Sequence, residues 1–263
     1  MRKFFSLKLS FIFSIFFSSF LYSQITIKSE IKVGYILSAK YTLKANEDKQ
    51  KEESWLVASN SDAVFKAKKA FVMDSLKAKG MQFEQLLPHF DINNQYNIYT
   101  SKNKIELTNS IKIDHEFGYI EESPWNWSVE NEFKELLGFH CQKATITKYG
   151  RNWIAYYAVD CPFPFGPYKF NNLPGLILEV FDDANDYHFT ATSIEKFKQN
   201  YSANRFLKPK IISKSDYVKV KKNIESDFTL GGLVTYSAED TKKFNDYYDE
   251  KLKFDNPIEL SLN

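Results

Sequence analysis

Cysteine is almost absent from this sequence: Cys141 and Cys161 are the only two in 263 residues. Their spacing is not C-x-x-C, which excludes a redox-active pair of that kind. Histidine is scarce too. His89, His115, His140 and His188 are scattered without short ligand spacing, and His115-Glu116 lacks the second histidine of the metalloprotease pattern. No metal and no cofactor are therefore expected. A G-x-S-x-G nucleophile elbow is missing, as is a glycine loop able to cradle phosphate. No stretch rich in Gly, Pro or Ser forms a linker, and no segment repeats, so one domain is the simplest organisation. The charge has no dominant sign, with 35 basic and 33 acidic side chains. Without a clustered basic face, nucleic acid is not an expected partner.

One long hydrophobic run is present, and it stands at the N-terminus. Met1–Lys8 is basic, Leu9–Tyr22 is apolar apart from serines, and Ser23 is small. This is the order of a secretory signal peptide. The apolar stretch is shorter than the ~20 residues that span a bilayer. The expected division is a signal peptide at 1–23 and a single β-rich domain at 24–263. Periplasm is the default destination, with outer-membrane association or secretion as the alternatives.

Aromatic residues make up 17% of the chain, a density that suits β-structure. Ile25, Ile27, Ile31, Val33, Tyr35 and Leu37 alternate as one long strand or two short ones. Trp55–Ala58 and Ala63–Met73 read as strands, and Met81–Leu87 as a short helix ending at Pro88. Asn97–Thr100 with Ile105–Thr108 reads as a hairpin, Ile111–Ile120 as a strand, and Leu176–Phe181 with Tyr187–Thr192 as a further hairpin. Ser215–Phe228, capped by Ser215, and Ala238–Lys253 read as charged helices. The fold class expected is mainly β, a β-rich α+β domain. It would be a curved antiparallel sheet or half-barrel with a few covering helices.

Between the cysteines, Ala144–Thr147 and Trp153–Val159 are strand-like around the turn signal Tyr149-Gly150-Arg151-Asn152. A hairpin centred on Arg151 sets Cys141 opposite Cys161. The pair then forms a disulfide worth about 3 kcal/mol in the chain-entropy model, or remains as two buried thiols packing as small hydrophobes.

The stretch Cys161–Asp182 is the most distinctive. Pro162, Pro164 and Pro167 stiffen it, Pro174-Gly175 marks a tight turn, and it runs into the apolar segment Leu176–Phe181. Its motif residues Gly166, Pro167, Leu173, Pro174, Gly175, Leu176 and Ile177 resemble the signature of the GLPGLI family, exported bacterial proteins without an assigned function. Cys141-Gln142-Lys143-Ala144, Gly150-Arg151-Asn152-Trp153 and Asn256-Pro257-Ile258-Glu259-Leu260 extend the resemblance over nearly the whole chain after the leader. Asn172 stands where the name motif has its first glycine, and Cys161 where the family carries an aliphatic residue. The resemblance implies export and a loop-plus-strand core, and it supplies no catalytic residue.

Two functions from different classes follow. In the first, Trp153, Tyr156, Phe163, Phe165, Tyr168 and Phe170 form an aromatic surface of a non-catalytic envelope protein. The partners it leaves open are an apolar small molecule, a peptide or an outer-membrane transporter. In the second, the chain is a periplasmic hydrolase whose acid–base groups meet only in three dimensions, with Glu179, His188 and Asp182 as neighbours in sequence. Arg151 and Lys169 read as solvated charges, and Asp182–Asp186 as a polar turn rather than a calcium loop.

Overall fold

The structure is a computed structural model that describes residues 25–81, 96–101, 104–110, 116–122, 125–202, 209–227 and 236–262. The expected signal peptide, His89, His115, residues 111–115 and all but the first residue of Met81–Leu87 lie outside the described residues. The elements run β1 (Thr26–Lys28), β2 (Ile31–Ala39), β3 (Gln50–Ala58), β4 (Asp62–Ala67), α1 (Lys68–Ala78), β5 (Tyr96–Ser101), β6 (Lys104–Ser110) and β7 (Glu116–Glu122). They continue with β8 (Ser128–Leu136), β9 (Phe139–Lys148), β10 (Arg151–Ala158), β11 (Leu176–Asp182), β12 (Tyr187–Lys196), β13 (Asn200–Ser202) and β14 (Lys210–Ile211). Two helices, α2 (Lys214–Ser226) and α3 (Ala238–Phe254), follow.

Twelve strands form one sheet in the order β14-β7-β6-β5-β4-β3-β2-β12-β11-β10-β9-β8, and β1 pairs with β13 in a separate ribbon. Every pairing is antiparallel except β14 with β7. The expected β-rich architecture, a curved and mainly antiparallel sheet with a few helices, is what the chain adopts, and the sheet is open. Its curvature follows from contacts. β7 and β10 stand eight places apart in the sheet, about 38 Å in a flat sheet with strands ~4.8 Å apart. Yet the Tyr149 hydroxyl, in the β9–β10 turn, donates to Glu121 Oε1 of β7 at 2.8 Å.

The chain between β10 and β11 fills the hollow so formed. Phe170 is 1% exposed and packs edge-on against Trp153 of β10 and Phe189 of β12. Tyr168 reaches Tyr96 of β5. Burying each such ring contributes about 1.5–3 kcal/mol, so this loop holds opposite parts of the sheet together. On the outer face, α1 and the β1–β13 ribbon cover β3 and β4, enclosing Ile27, Val57, Val64 and Phe71.

Three local expectations are corrected. Ala63–Met73 is not one strand: it ends at Ala67 and turns into α1. The helix brings Asp74 back onto the buried Lys66 ammonium, where Tyr201 also donates to it, a tertiary arrangement that outweighs local preference. The cap of α2 is Ser213, whose hydroxyl accepts from Asp216 N, rather than Ser215. The 141–161 disulfide is absent: both cysteines are free and buried. The turn is the two residues Tyr149 and Gly150, with φ of 54° and 78°, the I′ geometry that suits a hairpin. Lys148 therefore faces Arg151, and Cys141 faces Ala158 rather than Cys161.

Burial pushes the Cys141 thiol up to about 11 and raises that of Cys161. Neither is then a ready nucleophile at neutral pH. An alkylating reagent is expected to leave the mass of the native chain unchanged and to label both cysteines after denaturation without a reductant. Labelling that requires a reductant would restore the disulfide.

Candidate functional site

The outer face of the sheet over β8–β12 carries the strongest group of reactive side chains. Strands set alternate residues on opposite faces. The pairing aligns Lys143 (β9), Tyr156 (β10), Glu179 (β11) and Thr190 (β12) in one row. His188 lies two residues along β12 from Thr190, opposite Phe181. Its Nε2 is 2.9 Å from Glu179 Oε1. The other carboxylate oxygen of Glu179 accepts from Lys134 Nζ of β8. Lys134 arrives there past an irregularity in the β8–β9 ladder between Val129 and Phe133. Such irregularities re-aim side chains. Its ammonium lies 3.8 Å from the centroid of the Tyr156 ring, within cation–π range.

Glu179 is nearly covered, whereas His188 and Lys134 are about a third exposed. Burial acts to raise the Glu179 carboxyl, but hydrogen bonds from His188 and Lys134 outweigh it and hold the group below the ordinary value. A carboxylate that stays ionised and orients an accessible imidazole is a standard arrangement for proton transfer. Beside it the Tyr156 hydroxyl donates to Glu132 Oε1 at 2.7 Å, and Lys143 bridges Glu132 and Glu130. Burial first, then Glu132, pushes the Tyr156 phenol up to about 12. Phe181 packs on the His188 ring with centroids 5.0 Å apart. The group therefore combines a carboxylate–imidazole pair, an ammonium and apolar ring edges on an open surface. Among the described residues, no three His, Cys, Asp or Glu side chains are placed to hold a metal ion.

Asp182, the third neighbour in sequence, does not join this group. Its side chain is on the opposite face of β11, where Oδ2 accepts from Arg151 Nη1 at 2.8 Å and Oδ1 accepts from Tyr187 N at 2.7 Å. Arg151 is buried rather than solvated, and it also donates to Asn256 Oδ1, Pro257 O and Ile258 O of the C-terminal segment. Lys169 is likewise buried, at 0% exposure, between Glu121 and Glu259. The reading of both as solvated charges is corrected: each is the centre of an internal ionic cluster that ties the C-terminal segment to the sheet. Asp183-Ala184-Asn185 forms the polar turn expected there, with Asn185 at φ 54°.

The six aromatic residues expected to form a binding surface are differently placed. Trp153, Tyr156, Phe165, Tyr168 and Phe170 are buried, and Phe163 is half-buried. Trp153, Phe165, Tyr168 and Phe170 belong to the inner core, so they build the fold instead of an exposed patch. Of the six, Tyr156 alone borders the outer-face group. In the motif, Gly166, Pro167, Leu173, Gly175, Leu176 and Ile177 are buried and Pro174 is exposed. Asn172 has φ 68°, so asparagine supports the left-handed turn. Sequence reasoning missed Lys134, which lies 45 residues from Glu179 and reaches it only through the irregular edge strand.

No curated protein matches the chain. Among solved structures, PNGF-II in the P21 space group superimposes with a TM-score of 0.53 at 13% identity, covering 74% of this chain and 34% of that one. PNGF-II in the C2 space group gives a TM-score of 0.54 at 13% identity, covering 74% and 33%. The chain thus spans about a third of the length of the PNGF-II chains it resembles, and at this identity the likeness concerns the fold. A family model described as the N-glycanase peptide, N-terminal domain, matches residues 41–221. This match overturns the expected membership of the GLPGLI family. The short loop motif that suggested it is accommodated inside a different and longer sequence pattern, and the chain belongs to the family of the N-glycanase peptide N-terminal domain.

Proposed function

We propose that this chain is an exported, glycan-directed hydrolase domain, with Glu179, His188 and Lys134 as its acid–base centre. The observation that carries this reading is the 2.9 Å contact between Glu179 and His188 on the accessible outer face, in a chain of an N-glycanase family. The earlier expectation, a non-catalytic carrier of an apolar ligand or a partner protein, is set aside. The family match points to glycan cleavage, and the aromatic surface that expectation needed is internal.

The chemistry required is modest. Hydrolysis of a bond between a sugar and a peptide needs a base to activate water and an acid to protonate the leaving group. His188, oriented by Glu179, takes and returns that proton. Lys134 faces charge that develops beside Glu179, and the Phe181 edge and Ile154 offer apolar surface to a sugar ring. Export rests on the basic–apolar–small order of residues 1–23. No described helix is long and apolar enough to cross a membrane.

The test is release of glycan from a purified glycopeptide by the full chain, followed by mass spectrometry. Glu179→Gln keeps the shape and removes the charge, and is expected to lower the rate about 10²–10⁴-fold, the range of a lost acid–base group. An inactive wild-type chain, or a Glu179→Gln variant as fast as wild type, would remove the proposal.

A further inference from the structure

We infer, resting on the reading of Glu179, His188 and Lys134 as an acid–base centre, that Tyr156 is its positioning residue: the face of its ring holds the Lys134 ammonium against Glu179. Lys134 has the least secure place of the three. Glu179 and His188 sit on adjoining strands, β11 and β12, and meet directly. Lys134 comes from β8, three places from β11 in the sheet, or about 14 Å if the sheet were flat. β8 stands at the end of the strand order, and its ladder with β9 is irregular between Val129 and Phe133. The backbone therefore fixes Lys134 less firmly than the other two. Its long side chain also loses much rotamer freedom when held in one place.

Tyr156 supplies what the edge strand lacks. In the ladder Lys134 opposes Cys141, and Cys141 opposes Ala158. Both are small, which leaves room above the sheet for the apolar stem of the lysine. Tyr156 stands two residues before Ala158 and on the same face. Its ring centroid is 3.8 Å from Lys134 Nζ, close enough for a cation–π attraction. The ring is itself fixed: its hydroxyl donates to Glu132 Oε1 at 2.7 Å, and Lys143 Nζ lies 2.8 Å from Glu132 Oε2. Glu132 and Lys134 are two apart on β8, so they share a face. One strand thus grips Tyr156 twice, at the hydroxyl and at the ring face. With the ammonium held there, Glu179 keeps one oxygen for Lys134 and the other for His188. Without the ring, the ammonium is free to turn to water, and Glu179 faces His188 alone.

NMR of the full chain carrying isotope-labelled lysine reads this contact without any turnover. A methylene beside an ammonium that sits over a ring face is shifted upfield, and the Lys134 signal is the one missing from Lys134→Met. In wild type it should lie upfield of a solvated lysine. Tyr156→Phe keeps the ring and should keep the shift, whereas Tyr156→Leu should abolish it. Rates should follow. Tyr156→Leu is expected to slow glycan release about 2–30-fold, the change in population that loss of a cation–π contact gives, and Tyr156→Phe should recover most of that loss. On the Lys134→Met background, Tyr156→Leu should cost nothing further. An unshifted Lys134 signal in wild type overturns the inference. So does a shift that survives Tyr156→Leu, or one lost equally in Tyr156→Phe and Tyr156→Leu. A wild-type chain that releases no glycan would remove the hydrolytic reading, while the Lys134 signal would still decide whether Tyr156 places that lysine.

Discussion

Lys169→Met is expected to destabilise the chain by about 3–5 kcal/mol, the range seen when one partner of a buried ion pair is removed. At this chain length that corresponds to a fall in melting temperature of about 6–20 °C. The Lys169 ammonium is wholly buried and has three oxygens around it: Tyr119 Oη at 2.6 Å, Glu259 Oε1 at 2.5 Å and Glu121 Oε1 at 2.8 Å. Methionine fills a similar volume but leaves the two carboxylates with Lys214 as their remaining close cation. Removing one carboxylate together with the lysine should restore part of the loss, so Lys169→Met with Glu259→Gln is expected to be more stable than Lys169→Met alone. Simple additivity of the two changes would contradict the coupling.

The same cluster sets an acid limit. Burial acts to raise the Glu121 carboxyl, but Lys169, then Lys214 and Tyr149, outweigh it and hold the group below its ordinary value. A carboxylate with a depressed folded-state pKa contributes stability that is full above the unfolded value, about 4.3 for glutamate. That contribution is lost as pH falls through the folded value. The gap in stability between wild type and Lys169→Met should therefore be widest near neutrality and narrow below about pH 4. Denaturant titrations at pH 7 and pH 3.5 measure it, and a gap that does not change with pH would mean that the lysine acts through packing alone.

What the sequence disclosed follows from the range of the interactions. The β5–β6 hairpin was legible because Asn97–Thr100 and Ile105–Thr108 are strand-like around a short polar turn, and Ser101 does face Lys104. Glu179 and His188 were legible as neighbours because they sit on consecutive paired strands. Asp182 was mistaken for their companion because alternation along β11 sends it to the other face. The cysteine register failed by three residues: nothing local showed that Tyr149, rather than Arg151, would take the first left-handed position of the turn. Lys169 looked solvated because its partner Glu259 is 90 residues away. The aromatic loop looked like a surface because exposure is a property of the curved sheet that wraps it, and local composition does not encode it. The family was misread for a related reason. A proline–glycine loop is a short and reusable device, whereas the matching family pattern is spread over residues 41–221.

Gly175→Ala should be the most damaging single methyl group that the chain can acquire in this loop. A Cβ at position 175 would stand 2.0 Å from the carbonyl oxygen of Ala158 and 2.9 Å from its carbon. Both are backbone atoms of β10, so no rotamer change relieves the clash. Relief requires β10 and β11 to part at the Ala158–Leu176 pair, in the most tightly buried part of the core. Added methylenes in a packed core cost about 1–3 kcal/mol and occasionally more; here a cost of about 3 kcal/mol or more is expected, because the obstacle cannot rotate away. This glycine is needed for close approach rather than for turn geometry: its φ is not in the left-handed region, unlike that of Gly138 at 79°. Gly138 provides the contrast. Nothing lies within 4 Å of a Cβ placed there, so Gly138→Ala should cost only the left-handed strain of about 1–2 kcal/mol. Gly166→Ala meets the Ile177 side chain at 2.7 Å and should fall between them, since a side chain yields more easily than a strand. Thermal melts of the three variants rank them, and hydrogen exchange at Leu176 locates the damage. If Gly175→Ala melted no lower than Gly138→Ala, the close contact between loop and strand could not be what holds the motif in place.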